Sequence, residues 1–328
     1  MKVSVIIPAH NPGPLLRDTL ASGLAQEDAD TEILVIDDGS TDGTPDLLAS
    51  YGSRIRVERF GEGHGDGTFA RNHGLAVCRG EAVKFLDHDD VLEPGVLARE
   101  AAELDARDAD LVMSGWGICS LGADGRVDEG SRKTYEPPAV DELVEAILGE
   151  RKTPFTAAVL YRKALIQSVR WDADVAMYDD FDFFSRAALG ARRIARLPGV
   201  AYWWRQHGAS FQSRIGDRPL SHLEAERTRC RIYLKLEPML EARGDLTPRR
   251  RRLLARAYYK GLRAFALWDP NFCRRIERRI EALVPGFRPT PQEEPVRAIQ
   301  MCIRILGIRP TLRLYRALRR GAPGRTAG

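Results

Sequence analysis

Two unbroken apolar runs, Val5-Ile6-Ile7 and Ile33-Leu34-Val35-Ile36, constrain this chain most, and each gives way within a few residues to a polar segment. A strand with one face in water alternates apolar and polar side chains. A run that is apolar at every position has to be covered on both faces, as strands of a parallel sheet flanked by helices are. The surrounding pattern agrees. Strands are predicted at Val3–Pro8, Glu32–Asp37, Ile55–Arg59, Ala82–Leu86 and Leu111–Ser114. Helices fit between them at Leu15–Gln26, from Ser40-Thr41-Asp42 to near Tyr51, at Phe69–Cys78 and at Gly95–Asp105. Strand alternating with helix is the signature of βαβ units. The predicted fold class is α/β: a Rossmann-like, mainly parallel sheet with helices on both faces, followed by a C-terminal helical region.

Beyond the first sheet segments the pattern changes. From Trp116 to Pro138 the sequence is rich in Gly, Asp and charge, which suggests an excursion with a hairpin around Ala123-Asp124-Gly125. A helix at Val140–Leu148 and a strand-like segment at Thr153–Tyr161 follow. Next comes a helix from about Tyr178, with Phe181, Phe184, Ala188 and Leu189 on one stripe, and then closing strands at Ile194–Leu197 and Val200–Trp204. After Pro219 only helical patterns survive: Leu223–Leu240, Arg250–Trp268, Phe272–Leu283 and Val296–Leu306, with Pro238, Pro248, Pro270, Pro285 and Pro310 near their ends. We therefore divide the chain into a sheet domain over 1–218, with halves of about 1–115 and 116–218, and a helical region over 219–328.

Charge separates the same segments. Lys plus Arg number 50 and Asp plus Glu 46, a net +4. Residues 1–219 hold 25 basic and 36 acidic side chains, net −11, whereas 220–328 hold 25 basic and 10 acidic, net +15. No stretch approaches the roughly 18 apolar residues of a membrane span, and no basic leader precedes the short apolar start, so a cytoplasmic location is expected. The cysteines, Cys78, Cys119, Cys230, Cys273 and Cys302, are odd in number and form no CxxC pair, which favours free buried thiols.

Ligands of open parallel sheets bind beyond the carboxyl ends of the strands. Three predicted strands end in chemically able residues: Pro8-Ala9-His10-Asn11, Asp37-Asp38-Gly39-Ser40 and Asp87-His88-Asp89-Asp90. Singly, Asp and Gly at such places form turns and cap helices. Together on one edge they suggest a site. Three carboxylates within four residues repel one another unless a cation is present, and hard oxygen donors suit Mg2+ or Mn2+, which commonly complete their shell with phosphate oxygens. A diphosphate ligand is implied. Neither G-x-x-x-x-G-K-[ST] nor G-x-G-x-x-G follows the first strand, which argues against an ordinary nucleoside triphosphatase or dinucleotide enzyme. The segment Gly61-Glu62-Gly63-His64-Gly65-Asp66-Gly67 reads as a flexible turn, or a loop passing close to a ligand.

Four segments taken in order, Val3–Asn11, Ile36-Asp37-Asp38-Gly39-Ser40-Thr41-Asp42-Gly43-Thr44, Ala70-Arg71-Asn72-His73-Gly74-Leu75-Ala76 and Phe85-Leu86-Asp87-His88-Asp89-Asp90, resemble the successive motifs of family 2 glycosyltransferases. The resemblance covers about 1–210. It implies a GT-A fold, with a nucleotide-sugar half over about 1–115 and an acceptor half over 116–218. It also implies a divalent metal, Mn2+ or Mg2+, held against the diphosphate by an Asp-x-Asp pair. Carried over, Pro8 and Asn11 line the nucleotide pocket, Asp38 contacts the base with Asp37 beside it, and Arg71 reaches toward base or diphosphate. Asp87 and Asp89 form the Asp-x-Asp pair, with Asp89 as direct ligand. Tyr178-Asp179-Asp180-Phe181 resembles the segment that carries the family's catalytic base, which makes Asp180 the base and puts Asp179 at the acceptor; helix capping is the alternative role for both. In Tyr202-Trp203-Trp204-Arg205-Gln206-His207, Arg205 and His207 are expected near the diphosphate or its metal, and Trp203 and Trp204 are candidates to stack on an acceptor sugar. The Gln-x-x-Arg-Trp motif of processive synthases is missing, which implies a non-processive enzyme. His10, His64, His73 and His88 are read as structural.

The expected activity is inverting transfer of a sugar to a glycan or lipid-linked glycan. A uridine diphosphate sugar is the first-choice donor, although thymidine and guanosine carriers occur on the same scaffold. Two alternatives remain at the sequence level, a metal-dependent nucleotidyltransferase and a non-catalytic nucleotide-sugar-binding protein. The tail, with Arg249-Arg250-Arg251-Arg252, Arg274-Arg275, Arg278-Arg279 and Arg319-Arg320, is either solvated on its own domain or apposed to an anionic membrane at the inner face of the plasma membrane. Nucleic acid is not expected, since no binding motif is present. Homo-oligomerisation stays open.

Overall fold

The computed structural model describes residues 1–208 except 27, 65–66, 123–124, 150–152 and 176–177, and residues 221–290 except 266–268; beyond 290 it describes 299, 302–303, 308, 310–311 and 314. The chain forms two compact units, Met1–Asp217 and Arg218–Gly328.

The first unit is built on one sheet. Its strands are β1 (Val3–Ala9), β2 (Thr31–Asp38), β3 (Arg56–Phe60), β4 (Ala82–Phe85), β5 (Val91–Leu92), β6 (Leu111–Leu121), β7 (Val127–Tyr135), β8 (Val159–Arg162) and β9 (Ile194–Gln206). The order is β3-β2-β1-β4-β8-β6-β9-β5, with β7 paired to β6 off this path. The β3-β2-β1-β4 quartet is parallel, as the apolar runs require, and every residue of β1 is buried. Around β8 the sheet becomes mixed: β8 runs antiparallel to both β4 and β6, while β6 and β9 are parallel.

Helices cover both faces. Val5, Ile7, Ile33 and Val35 pack in one core with Leu16 and Leu20 of α1 (Leu16–Leu24), Leu47 and Leu48 of α2 (Thr44–Ser50) and Val96, Leu97 and Leu104 of α4 (Val96–Ala106). Side chains alternate along a strand, so Ile6 and Ile36 face the other way. There they meet α3 (Gly67–Val77) at Gly74, where an added Cβ would lie 2.4 Å from Ile6 Cγ2. On that second face Phe85 packs edge-on against Phe183 of α7 (Asp179–Gly190), with ring centroids 5.3 Å apart. Short helices α5 (Leu143–Leu148) and α6 (Lys163–Ile166) complete the unit.

Several predicted boundaries change. The Leu111–Ser114 strand continues to Leu121, and the two closing strands are one strand, β9, continuous through Pro198-Gly199. Their long pairing absorbs the interruption by register shifts at Ser114/Gly115 and Gly115/Trp116. In α7 the core aromatics are Phe183 and Phe184, whereas Phe181 is half-buried.

The second unit contains α8 (Ser221–Ala242), α9 (Pro248–Phe265) and α10 (Pro270–Leu283). Ile232, Leu236, Leu254, Tyr258, Ile276 and Ile280 are buried in it. Pro238 lies inside α8, near its end. The predicted Val296–Leu306 helix falls mostly outside the described residues. Among the described residues no helix is long and apolar enough to cross a membrane.

Candidate active site

The carboxyl ends of β1 and β2 are tied together. Asn11 sits at φ 49°, a left-handed conformation that Asn tolerates. Its amide donates to Ser40 Oγ at 2.9 Å, and its Oδ1 accepts from the Thr41 and Asp42 amides at 2.8 and 3.2 Å. Asp37 is fully buried, accepts from Ser40 N at 2.9 Å and lies 3.2 Å from Arg59 Nε. The Asp38 carboxylate accepts from the His64 amide at 2.8 Å and pairs with His64 Nδ1 at 2.7 Å. Two glycines permit this. Gly39 is at φ 77°, and a Cβ there would lie 2.5 Å from Gly63 N; a Cβ on Gly63 would lie 2.8 Å from the Asp38 carbonyl. The loop after β3 thereby presses onto the end of β2. His64 stacks on Phe69 with centroids 3.5 Å apart, and Phe60 and His73 extend the aromatic patch.

The segment after β4 brings in the acids. Arg71 of α3 is largely buried and donates to Asp87 Oδ1 at 2.6 Å and to Asp179 Oδ2 at 3.3 Å. Its guanidinium lies 4.6 Å from the centroid of Trp171, which itself stacks on Phe183. The Asn72 carboxamide fixes Trp171 by bonding both its amide and its carbonyl at 2.9 Å. Neighbouring carboxylates hold Arg71 charged despite its burial. Asp89 Oδ2 lies 3.0 Å from His207 Nε2. Asp90 is buried, and burial together with Asp89 and Asp87 pushes its carboxyl well above the usual carboxylate range.

Across from Arg71, Asp179 and Asp180 open α7. Asp180 accepts a hydrogen bond from Thr156 Oγ1. Burial, then the charges of Asp179 and Asp87, raise the Asp180 carboxyl well above its ordinary value. Burial also raises Asp179, and the Arg71 cation opposes that shift. The hydroxyl of Tyr161, fully buried close enough to feel the Asp180 charge, has no hydrogen-bond partner among the described residues. The site thus combines an aromatic patch beside a fixed carboxylate, a cation between acid groups, an Asp-His pair and a high-pKa carboxyl: a place to bind a flat ring and an anion and to take up a proton.

Comparison with known proteins decides the family. Residues 4–167, half of the chain, match the family model described as glycosyl transferase family 2. The chain belongs to that family. Among its relatives are the uncharacterized glycosyltransferase EpsJ of Bacillus subtilis, 27% identical over 64% of this chain and 62% of EpsJ, and the succinoglycan biosynthesis protein ExoO of Rhizobium meliloti, 28% identical over 68% of this chain and 65% of ExoO. The match therefore spans under two thirds of these relatives' length. In fold, the chain is similar to the crystal structure of S. aureus TarS 1–349 in complex with UDP-GlcNAc: 20% identity, 99% of this chain and 93% of that chain covered, TM-score 0.65. The fold is GT-A.

In this family 2 chain the residues singled out from sequence fall into three groups. Pro8, Asn11, Asp37 and Asp38 lie together at the β1 and β2 ends. Pro8 is buried, and its carbonyl accepts from His88 Nδ1 at 3.2 Å. Arg71, Asp87, Asp179 and Asp180 form the second group and Asp89 and His207 the third. Arg205 departs from expectation. It is buried, donating to the Asp89 carbonyl at 2.5 Å, to Asp18 at 2.7 Å and to the Leu15 carbonyl at 3.0 Å, so its cation braces the acidic turn against α1 and its entry instead of facing a ligand. Trp203 covers Gly117 and donates to Glu93, while Trp204 tilts against Phe155 at 5.4 Å; both are half-buried. Sequence reasoning missed His64, Phe69, Trp171 and Thr156. His64 had one visible signal, its place in a glycine-rich loop at a strand end.

A divalent metal fits this donor set in its chemistry. Asp89 and His207 offer carboxylate and imidazole side by side, next to the buried carboxyl of Asp90. Asp87 is turned to Arg71, and among the described residues no three acidic, His or Cys side chains converge on one point.

Proposed function

We propose that the chain is an inverting, non-processive, metal-dependent glycosyltransferase that moves a sugar from a nucleotide diphosphate donor to a glycan or lipid-linked glycan. The supporting observation is the arrangement around Arg71, which links Asp87 of the donor half to Asp179 beside the high-pKa carboxyl of Asp180. The uracil ring of a UDP-sugar would lie against the His64–Phe69 stack near Asp38; the UDP-GlcNAc in the TarS complex makes this donor class the first to try. Asp89 and His207 would hold Mn2+ or Mg2+, which would neutralise charge on the diphosphate, while Asp87 stays with Arg71.

In the reaction, Asp180 takes the proton of the acceptor hydroxyl as that oxygen forms a bond to the anomeric carbon. The bond from that carbon to the diphosphate oxygen breaks on the opposite face, its electron pair leaving with the nucleotide diphosphate, and configuration inverts. Arg71 stays charged through the step and keeps Asp87 and Asp179 in register. Thr156 orients the Asp180 carboxylate.

The test is a panel of nucleotide sugars, UDP-sugars first, incubated with Mn2+ or Mg2+ and an acceptor extract while nucleotide diphosphate release is followed. Release from one donor that requires both the metal and Asp89 supports the reading. Tight donor binding without release from any of them would favour a binding protein, and pyrophosphate release from a nucleoside triphosphate would favour a nucleotidyltransferase.

A further inference from the structure

We propose that the arginine face of α10 is a docking surface for an anionic lipid bilayer. Asn271, Arg274, Arg275, Arg278 and Arg279 line a groove of about 450 Å³ on this helix. The opposite face, Cys273, Ile276, Ile280 and Leu283, is buried in the helical unit's own core. Packing thus fixes which side faces out.

Several guanidiniums of the unit meet carboxylates: Arg229 with Glu226 at 3.3 Å, Arg250 with Asp245, and Arg279 with buried Glu237 at 3.2 Å. Arg274, Arg275 and Arg278 are exposed and clustered on one helix; Arg274 donates to Asn271 Oδ1, and none of the three is in an ion pair among the described residues. Spacings of three and four residues bring Arg274 and Arg275 beside Arg278 on one side, so like charges repel across a helical turn. An external anion relieves that repulsion, and guanidinium forks match phosphate oxygens.

An extended anionic plane suits this face better than a single anion. The surplus of basic over acidic side chains in 220–328 amounts to +15, and a bilayer can neutralise many of these within a Debye length at once. Phe272, the one aromatic of α10, is half-buried, so the face offers no exposed ring for stacking on nucleic-acid bases. With its apolar positions turned inward, α10 would bind by charge alone, reversibly and with steep salt dependence.

The experiment is sedimentation of the full chain with vesicles of phosphatidylcholine alone or mixed with phosphatidylglycerol, at low and high KCl. We expect binding only to the phosphatidylglycerol vesicles, reversed by salt. Arg274→Gln/Arg275→Gln/Arg278→Gln should weaken it by about fivefold per arginine, on the order of a hundredfold in all. Arg231→Gln/Arg249→Gln/Arg288→Gln removes the same charge elsewhere in the unit and should weaken it less than tenfold, with circular dichroism showing both variants folded. Equal losses in the two triple variants, or no vesicle binding at low salt, would overturn the proposal. So would capture by soluble polyphosphate or RNA with vesicles ignored.

Discussion

At the residue scale the most informative group is Asp180, because one cause makes it both useful and costly. Burial and the nearby carboxylates disfavour its charged form, so it is protonated over a range where an exposed aspartate, with a pKa of about 3.9, is ionised. Two outcomes follow with definite sign. As a base Asp180 must be ionised, so kcat/KM should fall as pH drops through its raised pKa, and a pH–rate profile measures that limb. For stability, the contribution of the raised group is fully present below the ordinary aspartate value and is lost as pH rises through the raised one. Asp180→Asn should therefore lower kcat by about 10²–10⁴-fold while raising the thermal midpoint at neutral pH, and Asn Oδ1 still accepts from Thr156. Retained turnover would remove Asp180 from the mechanism. A variant that is less stable at neutral pH would contradict the electrostatic account. Gly63→Ala tests the other end of the site: its methyl would meet the Asp38 carbonyl, so donor affinity measured by calorimetry should drop while the sheet still folds.

At the element scale, the elements tied by long-range polar contacts are where sequence reasoning was weakest. β1 and β2 were legible because burial on both faces writes itself as Val5-Ile6-Ile7 and Ile33-Leu34-Val35-Ile36. β6 is cut short at Ser114 in the sequence, since the segment from Trp116 to Pro138 is rich in Gly, Asp and charge; what continues the strand is its partner, β9, with Trp203 filling the space above Gly117. β5 is two residues long and exists through pairing with β9, a contact more than a hundred residues away. The site shows the same division. Strand-end acids were visible as a motif, but Trp171, Thr156 and His64 enter by folding, and the sequence carries no local pattern that points to Trp171. Lys84 illustrates how such contacts hold elements: wholly buried, it reaches from β4 to Glu100 of α4 at 2.7 Å, and Ser114 of β6 bonds the same carboxylate. Lys84→Met leaves Glu100 as an unpaired buried charge and should cost about 3–5 kcal/mol in urea unfolding, whereas Lys84→Met/Glu100→Leu should recover most of that loss. An additive double variant would show that the pair is not coupled.

At the scale of the whole molecule, a net charge of +4 conceals opposite excesses, and the acidic excess makes its own prediction. Charges of one sign gathered at strand ends lower stability until a ligand offsets them, and a ligand that binds only the folded state adds RT ln(1 + [L]/Kd). UDP with Mn2+ at about a hundred times its Kd should add about 2.7 kcal/mol, and at roughly 2–4 °C per kcal/mol for a unit of this size the midpoint rises by several degrees. Four of the five tryptophans, Trp116, Trp171, Trp203 and Trp204, lie in the Met1–Asp217 unit, so tryptophan fluorescence reports its melting. Three arms separate the causes. UDP with EDTA should lose most of the shift if a cation joins diphosphate to the acidic turn. Asp89→Asn should lose the metal-dependent part and keep the remainder, because the His64–Phe69 stack and Asp38 are untouched. Gly63→Ala should lose both parts. A full shift in EDTA, or one unchanged by Asp89→Asn, would mean that the acidic turn does not act through a metal, and its carboxylates would need another neutralising partner.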